Sequence, residues 1–196
     1  MSALITIRKV DYLNGRDAAD LTVLLDLYAR DPMGGARPLA PAVLQRVCSD
    51  LASRRDAASF IADWHQGSGP QQDTSVAVGL INCFEGYSTF KAKPLLNIHD
   101  IVVHPDYRGR GVARALLGAA QELAMARGCC KLTLEVLSGN VLAMRSYDSF
   151  GFAPYALDPA AGSALLMQKW LPESSSGSAR DAPVITAGSG RHLRAQ

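Results

Sequence analysis

"HPDYRGRGVARALL", residues His104 to Leu117, places Arg108, Arg110 and Arg114 around Gly109 and Gly111 and runs straight into an apolar helical pattern. The first turn of any helix has backbone N–H groups without intrahelical partners, and its dipole adds about half a positive charge. Such an end binds phosphate well. Glycines at positions 109 and 111 leave room for a phosphate to approach the backbone, and consecutive N–H groups there form an anion nest. Three guanidinium groups nearby suit a diphosphate better than a lone sulfate. Two familiar phosphate loops do not fit. The dinucleotide fingerprint needs glycine where Arg114 stands, and the Walker loop needs a Gly-Lys-Ser/Thr ending.

The surrounding pattern predicts the elements that carry this turn. "LLNIHDIVVH" upstream is nearly all apolar except His99 and Asp100, as expected of a strand covered on both faces. Downstream, Val112, Leu116, Ala119, Ala120 and Leu123 make a helical stripe that Gly128 ends. "KLTLEVL" alternates as a strand, and "NVLAMRSYDSFGF" reads as a short helix closed by Gly151. A strand–turn–helix–strand order implies a parallel pair inside an otherwise antiparallel sheet. Further out, "LITIRKVD" predicts an opening strand. Leu21, Leu24, Leu25 and Tyr28 predict a helix face, and a second helix is expected near Ala42–Arg54. The intervening "DPMGGARPLAP" is a loop long enough to be functional. "SFIADW" and "TSVAVGLINCFEG" predict a hairpin, and two terminal strands are expected at "FAPYAL" and "SALLMQKWL". The fold class is therefore α/β (α+β). The domain is expected to span residues 1–171, with 172–196 a Ser/Gly/Ala-rich tail outside it.

Composition limits the function classes. A chain of 196 residues, 48% hydrophobic and 19% charged, supports one well-filled core. A net charge of +2 with 7% aromatic residues argues against a nucleic-acid binder, which needs a broad basic face with stacking rings. Any anion site must be local. The four cysteines form no CxxC pair, which favours free thiols in a reducing cytoplasm over a metal site. No basic head with an apolar run opens the chain, and no stretch approaches the ~20 apolar residues of a membrane span. Exposed terminal strands make a homodimer the expected assembly.

Arg108 to Ala113 reads R-x-x-G-x-A, and this segment resembles the signature [Q/R]-x-x-G-x-[G/A] of the GNAT superfamily of acyl-CoA-dependent N-acyltransferases. A second match lies downstream. Asn140, Ala143, Tyr147, Gly151 and Phe152 are similar to the family's N-x-x-A-x-x-x-Y-x-x-x-G-F segment. Together they cover Ile98 to Phe152, with fainter similarity back to Ser75. The resemblance implies a GNAT-like mixed, mostly antiparallel sheet of about seven strands flanked by about four helices. The sheet would splay between "IHDIVVH" and "KLTLEVL".

It also implies acetyl-CoA as co-substrate, without a metal, and an amine acceptor. Residues Ile101, Val102, Val103, Arg108, Gly109, Arg110, Gly111, Val112, Ala113, Arg114, Asn140 and Tyr147 would line the coenzyme. A backbone N–H around Ile101 to Val103 would polarise the thioester carbonyl, and Tyr147 would give the leaving thiolate its proton. A phenol of ordinary pKa ~10 is protonated at neutral pH.

For the base, His99 and Asp100 are candidates, and strand alternation puts them on opposite faces. The spacing is most similar to the spermidine/spermine and thialysine-type branch, where an acidic residue stands at the position of His99. A histidine, ordinary pKa ~6.5, is poised to take a proton, directly or through water. Glu85 is the rival base or ammonium anchor, and Asp31 and Asp100 could also receive a cationic amine. The expected activity is acetyl transfer to a primary amine of a polyamine-like or amino-acid-like small molecule. A non-catalytic acyl-CoA-binding module and a protein-lysine or N-terminal acetyltransferase stand as alternatives.

Overall fold

Apolar alternation at the start of the chain forms β1 (Leu4–Lys9), and the Asn14 side chain then caps α1 (Gly15–Arg30) by accepting from the N–H groups of Arg16 and Asp17. After the Pro/Gly-rich loop, Pro41 opens α2 (Pro41–Ala52). The hairpin strands are β2 (Ala57–Gln66) and β3 (Thr74–Ser88), followed by β4 (Lys93–Val103). A 3-10 turn at Pro105–Tyr107 leads to α3 (Val112–Ala126), β5 (Leu132–Leu134) and α4 (Val141–Phe150). The computed structural model describes residues 4–66, 74–155, 160 and 164–172. The chain divides after Ser163 into two units.

In the first unit the sheet order is β1-β2-β3-β4-β5, antiparallel throughout except for the parallel β4–β5 pair. Both faces are covered. On one, Leu21 and Leu24 of α1 and Leu51 of α2 pack with Ile61, Leu80 and Val102. On the other, Val112, Leu116, Leu117 and Ala120 of α3 pack with Ile81, Leu96 and Ile98. A fully buried Val, Leu or Ile contributes about 1.5–3 kcal/mol, so these two layers hold the central strand in place. β4 is thus covered on both faces, as its apolar run implies. None of the helices among the described residues is long and apolar enough to cross a membrane.

The described sheet has five strands where about seven were expected. Residues 164–172 form no strand, and Phe152 to Tyr155 form none either. The remaining positions of the expected strands, 156–157 and 163, lie outside the described residues. An apolar extended segment becomes a strand only where a ladder partner satisfies its backbone, which periodicity alone does not supply. Leu165, Leu166, Met167, Trp170 and Leu171 are exposed in this irregular segment. The strand-based reason for a homodimer is therefore absent from those residues.

Candidate functional site

The turn that opens α3 has the geometry an anion requires. Gly109 and Gly111 have φ +73° and +87°, a left-handed conformation that side chains rarely adopt. A Cβ built at either glycine meets no atom within 4 Å, so the approach to the backbone is clear. Gly111, the N-cap of α3, has no side chain to cap the helix, and no side-chain hydrogen bond to the helix-opening amides of Val112, Ala113 and Arg114 is found among the described residues. The arginines are arrayed around this turn by contacts of their own. Arg108 Nη2 donates to Asp31 Oδ2 at 2.9 Å and its Nε to the Val103 carbonyl at 3.1 Å. Arg110 lies over the rings of Trp64 (5.3 Å) and Tyr107 (5.8 Å), and Arg114 over Phe150 (5.8 Å). Asp31 is held below the usual carboxylate range by the Met33 N–H and then by Arg108. It is therefore committed to the turn rather than open to an amine.

A β-bulge changes the reading of His99 and Asp100. In the β3–β4 register Asn82 pairs with Asp100 and Cys83 with Ile98, leaving His99 as the extra residue. Two residues of β4 thus oppose one of β3. The bulge reverses the alternation: Ile98 and Ile101 pack toward α3, whereas Val102 packs toward α1. His99 stacks edge-on against Phe84 at 5.5 Å, and Asp100 accepts from Asn82 Nδ2 at 2.9 Å. Phe84 packs with the α1-side cluster. The two candidates share that face, contrary to the expectation from simple alternation.

The same point marks the end of the parallel ladder. β5 pairs with β4 only at Leu96↔Leu132, Asn97↔Thr133 and Ile98↔Leu134. Ile101, Val102 and Val103 pair with Ile81, Leu80 and Gly79 on one side. Among the described residues, no strand covers their other side. An unpaired backbone edge therefore runs from the bulge toward the glycine turn.

Tyr147 lies on α4, packed against the α3-side core, with Phe152 edge-on at 5.9 Å. Burial pushes its phenol up to about 12, and Tyr28 adds to the shift. Tyr28, on the last turn of α1, is itself raised by burial and then by Asp100 and Asp31. Electrostatic coupling thus links Tyr147 of α4 with Tyr28 of α1, and Tyr28 with Asp100 of β4. Asn140 is the N-cap of α4, its side-chain oxygen accepting from the Ala143 N–H at 3.2 Å. Glu85 does not share the face of His99 and Asp100. It lies on the α3 side of the sheet, paired with Arg127 Nη1 at 3.1 Å, whereas His99 and Asp100 face α1.

Sequence reasoning read Tyr28 only as a helix-face residue and did not connect it with Asp100. It also missed Asn82, although the signal was present: Asn82 is the one polar side chain in the run "VAVGLINCF".

The family model for acetyltransferases of the GNAT family matches residues 24–152. The chain is 36% identical over 110 residues to streptothricin acetyltransferase of Streptomyces lavendulae, a match covering 54% of this chain and 57% of the relative. It is 37% identical over 82 residues to thialysine N-epsilon-acetyltransferase of Bos taurus, covering 42% and 46%. The chain thus spans about half the length of the curated relatives it matches. Among solved structures, ribosomal-protein-alanine N-acetyltransferase from Brucella melitensis biovar Abortus 2308 superposes with a TM-score of 0.63 at 21% identity, over 85% of this chain and 100% of that one. Aminoglycoside N-acetyltransferase AAC(6')-Iy in complex with CoA superposes with a TM-score of 0.62 at 19% identity, over 86% and 97%. The family match takes in β4 with its bulge, the glycine turn, α3 and α4, and the chain belongs to the GNAT acetyltransferase family.

Proposed function

We propose that this chain is an acetyl-CoA-dependent N-acetyltransferase that acetylates the primary amine of a small molecule. One observation carries the reading: the open edge of β4 begins at the His99–Asp100 bulge and leads to an uncapped helix N-terminus with clear access. Acetyl-CoA would supply the activated acetyl thioester. The amides at the start of α3 would hold its diphosphate, with Arg110 and Arg114 contributing charge around the turn. Arg108 would shape that turn through Val103 and Asp31. Backbone N–H groups along Ile101 to Val103 would polarise the carbonyl, a role in which preorganised donors are effective.

On the α1 face, the Asp100 carboxylate would receive the amine as a cation and His99 would take its proton before attack. Glu85 drops out as base because it is paired with Arg127 across the sheet. Tyr147, kept neutral by burial, would give its proton to the departing thiolate. The acceptor is read as a small amine because both curated relatives are named for small amine-bearing compounds. A carboxylate with a nearby tyrosine suits an aliphatic ammonium group, polyamine-like or amino-acid-like.

A mass-shift screen with acetyl-CoA tests this directly, using polyamines, diamino acids, aminoglycosides and lysine peptides as acceptors. Acetylated small amine is the expected product. Coenzyme binding without any product would leave a binding module as the reading, and product from peptides alone would overturn the small-molecule acceptor.

A further inference from the structure

Behind Asp100 runs a line of hydrogen bonds that the proposed chemistry leaves without a role. Tyr12 Oη lies 2.9 Å from Ser59 Oγ. Ser59 Oγ donates to Asn82 Oδ1 at 2.6 Å, and Asn82 Nδ2 donates to Asp100 Oδ2 at 2.9 Å. Ser59 is 1% exposed and Asn82 3% exposed. A serine hydroxyl has a single proton, and here it goes to Asn82, so the Tyr12 hydroxyl must be the donor to Ser59. All three donors therefore point the same way, and the line terminates on a carboxylate.

The direction has a structural consequence. A carboxamide can present either its oxygen or its nitrogen to a neighbour, and its surroundings decide which. Ser59 fixes the oxygen on its own side, which turns the nitrogen toward Asp100. Asn82 also pairs with Asp100 at the edge of the bulge, where the unpaired His99 interrupts the regular ladder. Regular pairing does not orient the β4 side chains there, so a side chain from β3 has that task. Buried polar groups among apolar neighbours are costly unless each is satisfied. Here the line runs beside the Ile61, Leu80 and Val102 layer and every member has a partner.

We infer that Asn82 is the positioning residue for Asp100, with Ser59 and Tyr12 setting the orientation of its amide. The inference deepens the proposed function and rests on its assignment of Asp100 as the carboxylate that receives the amine. Asn82 itself does not touch the acceptor. It fixes where the carboxylate stands relative to the open edge of β4.

The test combines kinetics on the amine giving most product in the acceptor screen with side-chain amide NMR of the free protein. Loss of a hydrogen bond to a charged group predicts that Asn82→Leu lowers kcat/KM for the amine by about tenfold to a hundredfold, and loss of the neutral bond behind it predicts a fall of about twofold to tenfold in Ser59→Ala. The KM for acetyl-CoA should be unchanged. In an Asp100→Asn background, Ser59→Ala should cause no further loss, because the line then ends on no carboxylate. The exchanged pair Asn82→Asp with Asp100→Asn keeps one donor and one acceptor, so it should recover thermal stability without recovering activity. The Asn82 side-chain amide signal of the wild type should shift in Asp100→Ala, which needs no acceptor.

Full amine kcat/KM in Ser59→Ala and Asn82→Leu would overturn the positioning role, whereas recovered activity in the exchanged pair would overturn the assignment of Asp100 as the receiving carboxylate. An unmoved Asn82 signal in Asp100→Ala would also overturn the positioning role. Full activity in Asp100→Asn likewise overturns the underlying assignment of Asp100, so the two failures are distinguishable.

Discussion

Replacing Gly111 by aspartate separates a glycine needed for the turn from a glycine needed for an anion. At φ +87° a non-glycine residue is strained by about 1–2 kcal/mol, and a Cβ added there meets no atom within 4 Å. A carboxylate at the N-terminus of α3 recovers about 0.3–1 kcal/mol from the helix dipole. The net cost is about 1 kcal/mol, which for a chain of this size lowers Tm by roughly 2–4 °C. Binding should respond on a different scale. Two like charges ~5 Å apart near a protein surface repel by about 3 kcal/mol, so acetyl-CoA affinity should fall by roughly two orders of magnitude. Gly111→Asn has nearly the same shape and a similar tolerance of left-handed backbone, without the charge. It should lose much less affinity at a comparable Tm. Calorimetric titration of both variants with acetyl-CoA, alongside thermal melts, reads the two effects separately. Equal affinities for Asp and Asn at this position would refute the assignment of the turn to a diphosphate.

Tyr147→Phe should lower kcat at least tenfold with acetyl-CoA affinity unchanged, within the range expected for loss of a general acid; wild-type turnover would remove the proton-donor role. The phenol also makes stability depend on pH. Because burial, with Tyr28, raises it to about 12 in the folded chain against about 10 unfolded, the neutral form is favoured by folding. That contribution is complete below pH ~10 and is lost as pH rises toward ~12, on the order of 2–3 kcal/mol in all. Denaturant melts across that window should be flatter for Tyr147→Phe than for wild type, and identical slopes would contradict the buried placement. At Gly34 a Cβ would stand 2.0 Å from the Tyr28 carbonyl oxygen, so Gly34→Ala must displace the loop that folds against Tyr28. Because that loop also carries Asp31, which holds Arg108 at the glycine turn, the KM for acetyl-CoA should rise along with that for the amine; an unchanged acetyl-CoA KM would contradict the anchoring of the turn by Asp31.

The elements legible in the chain are those set by near neighbours. The α3 stripe, the uncapped glycine turn and α4 with its Gly151 end depend on residues within a few positions of one another, and each stands where periodicity put it. The same holds for β4, whose largely apolar run required cover on both faces. The two terminal strands were misjudged for the opposite reason, since alternation does not reveal whether a ladder partner is present.

By itself, the order of residues determined the family, the position of the glycine turn and the helix carrying Tyr147, because local sterics and helix periodicity act through short stretches of chain. Only the tertiary structure decided which side chains share the site. The bulge at His99 exists in the pairing of β3 with β4, and it moved His99 to the face of Asp100. Arg127 claimed Glu85 from 42 positions away, Asp31 was claimed by Arg108 from 77, and Ser59, Asn82 and Asp100 were aligned from three different strands. Contacts between residues so far apart in sequence are set by strand register and layer packing, which leave no short-range pattern in the chain.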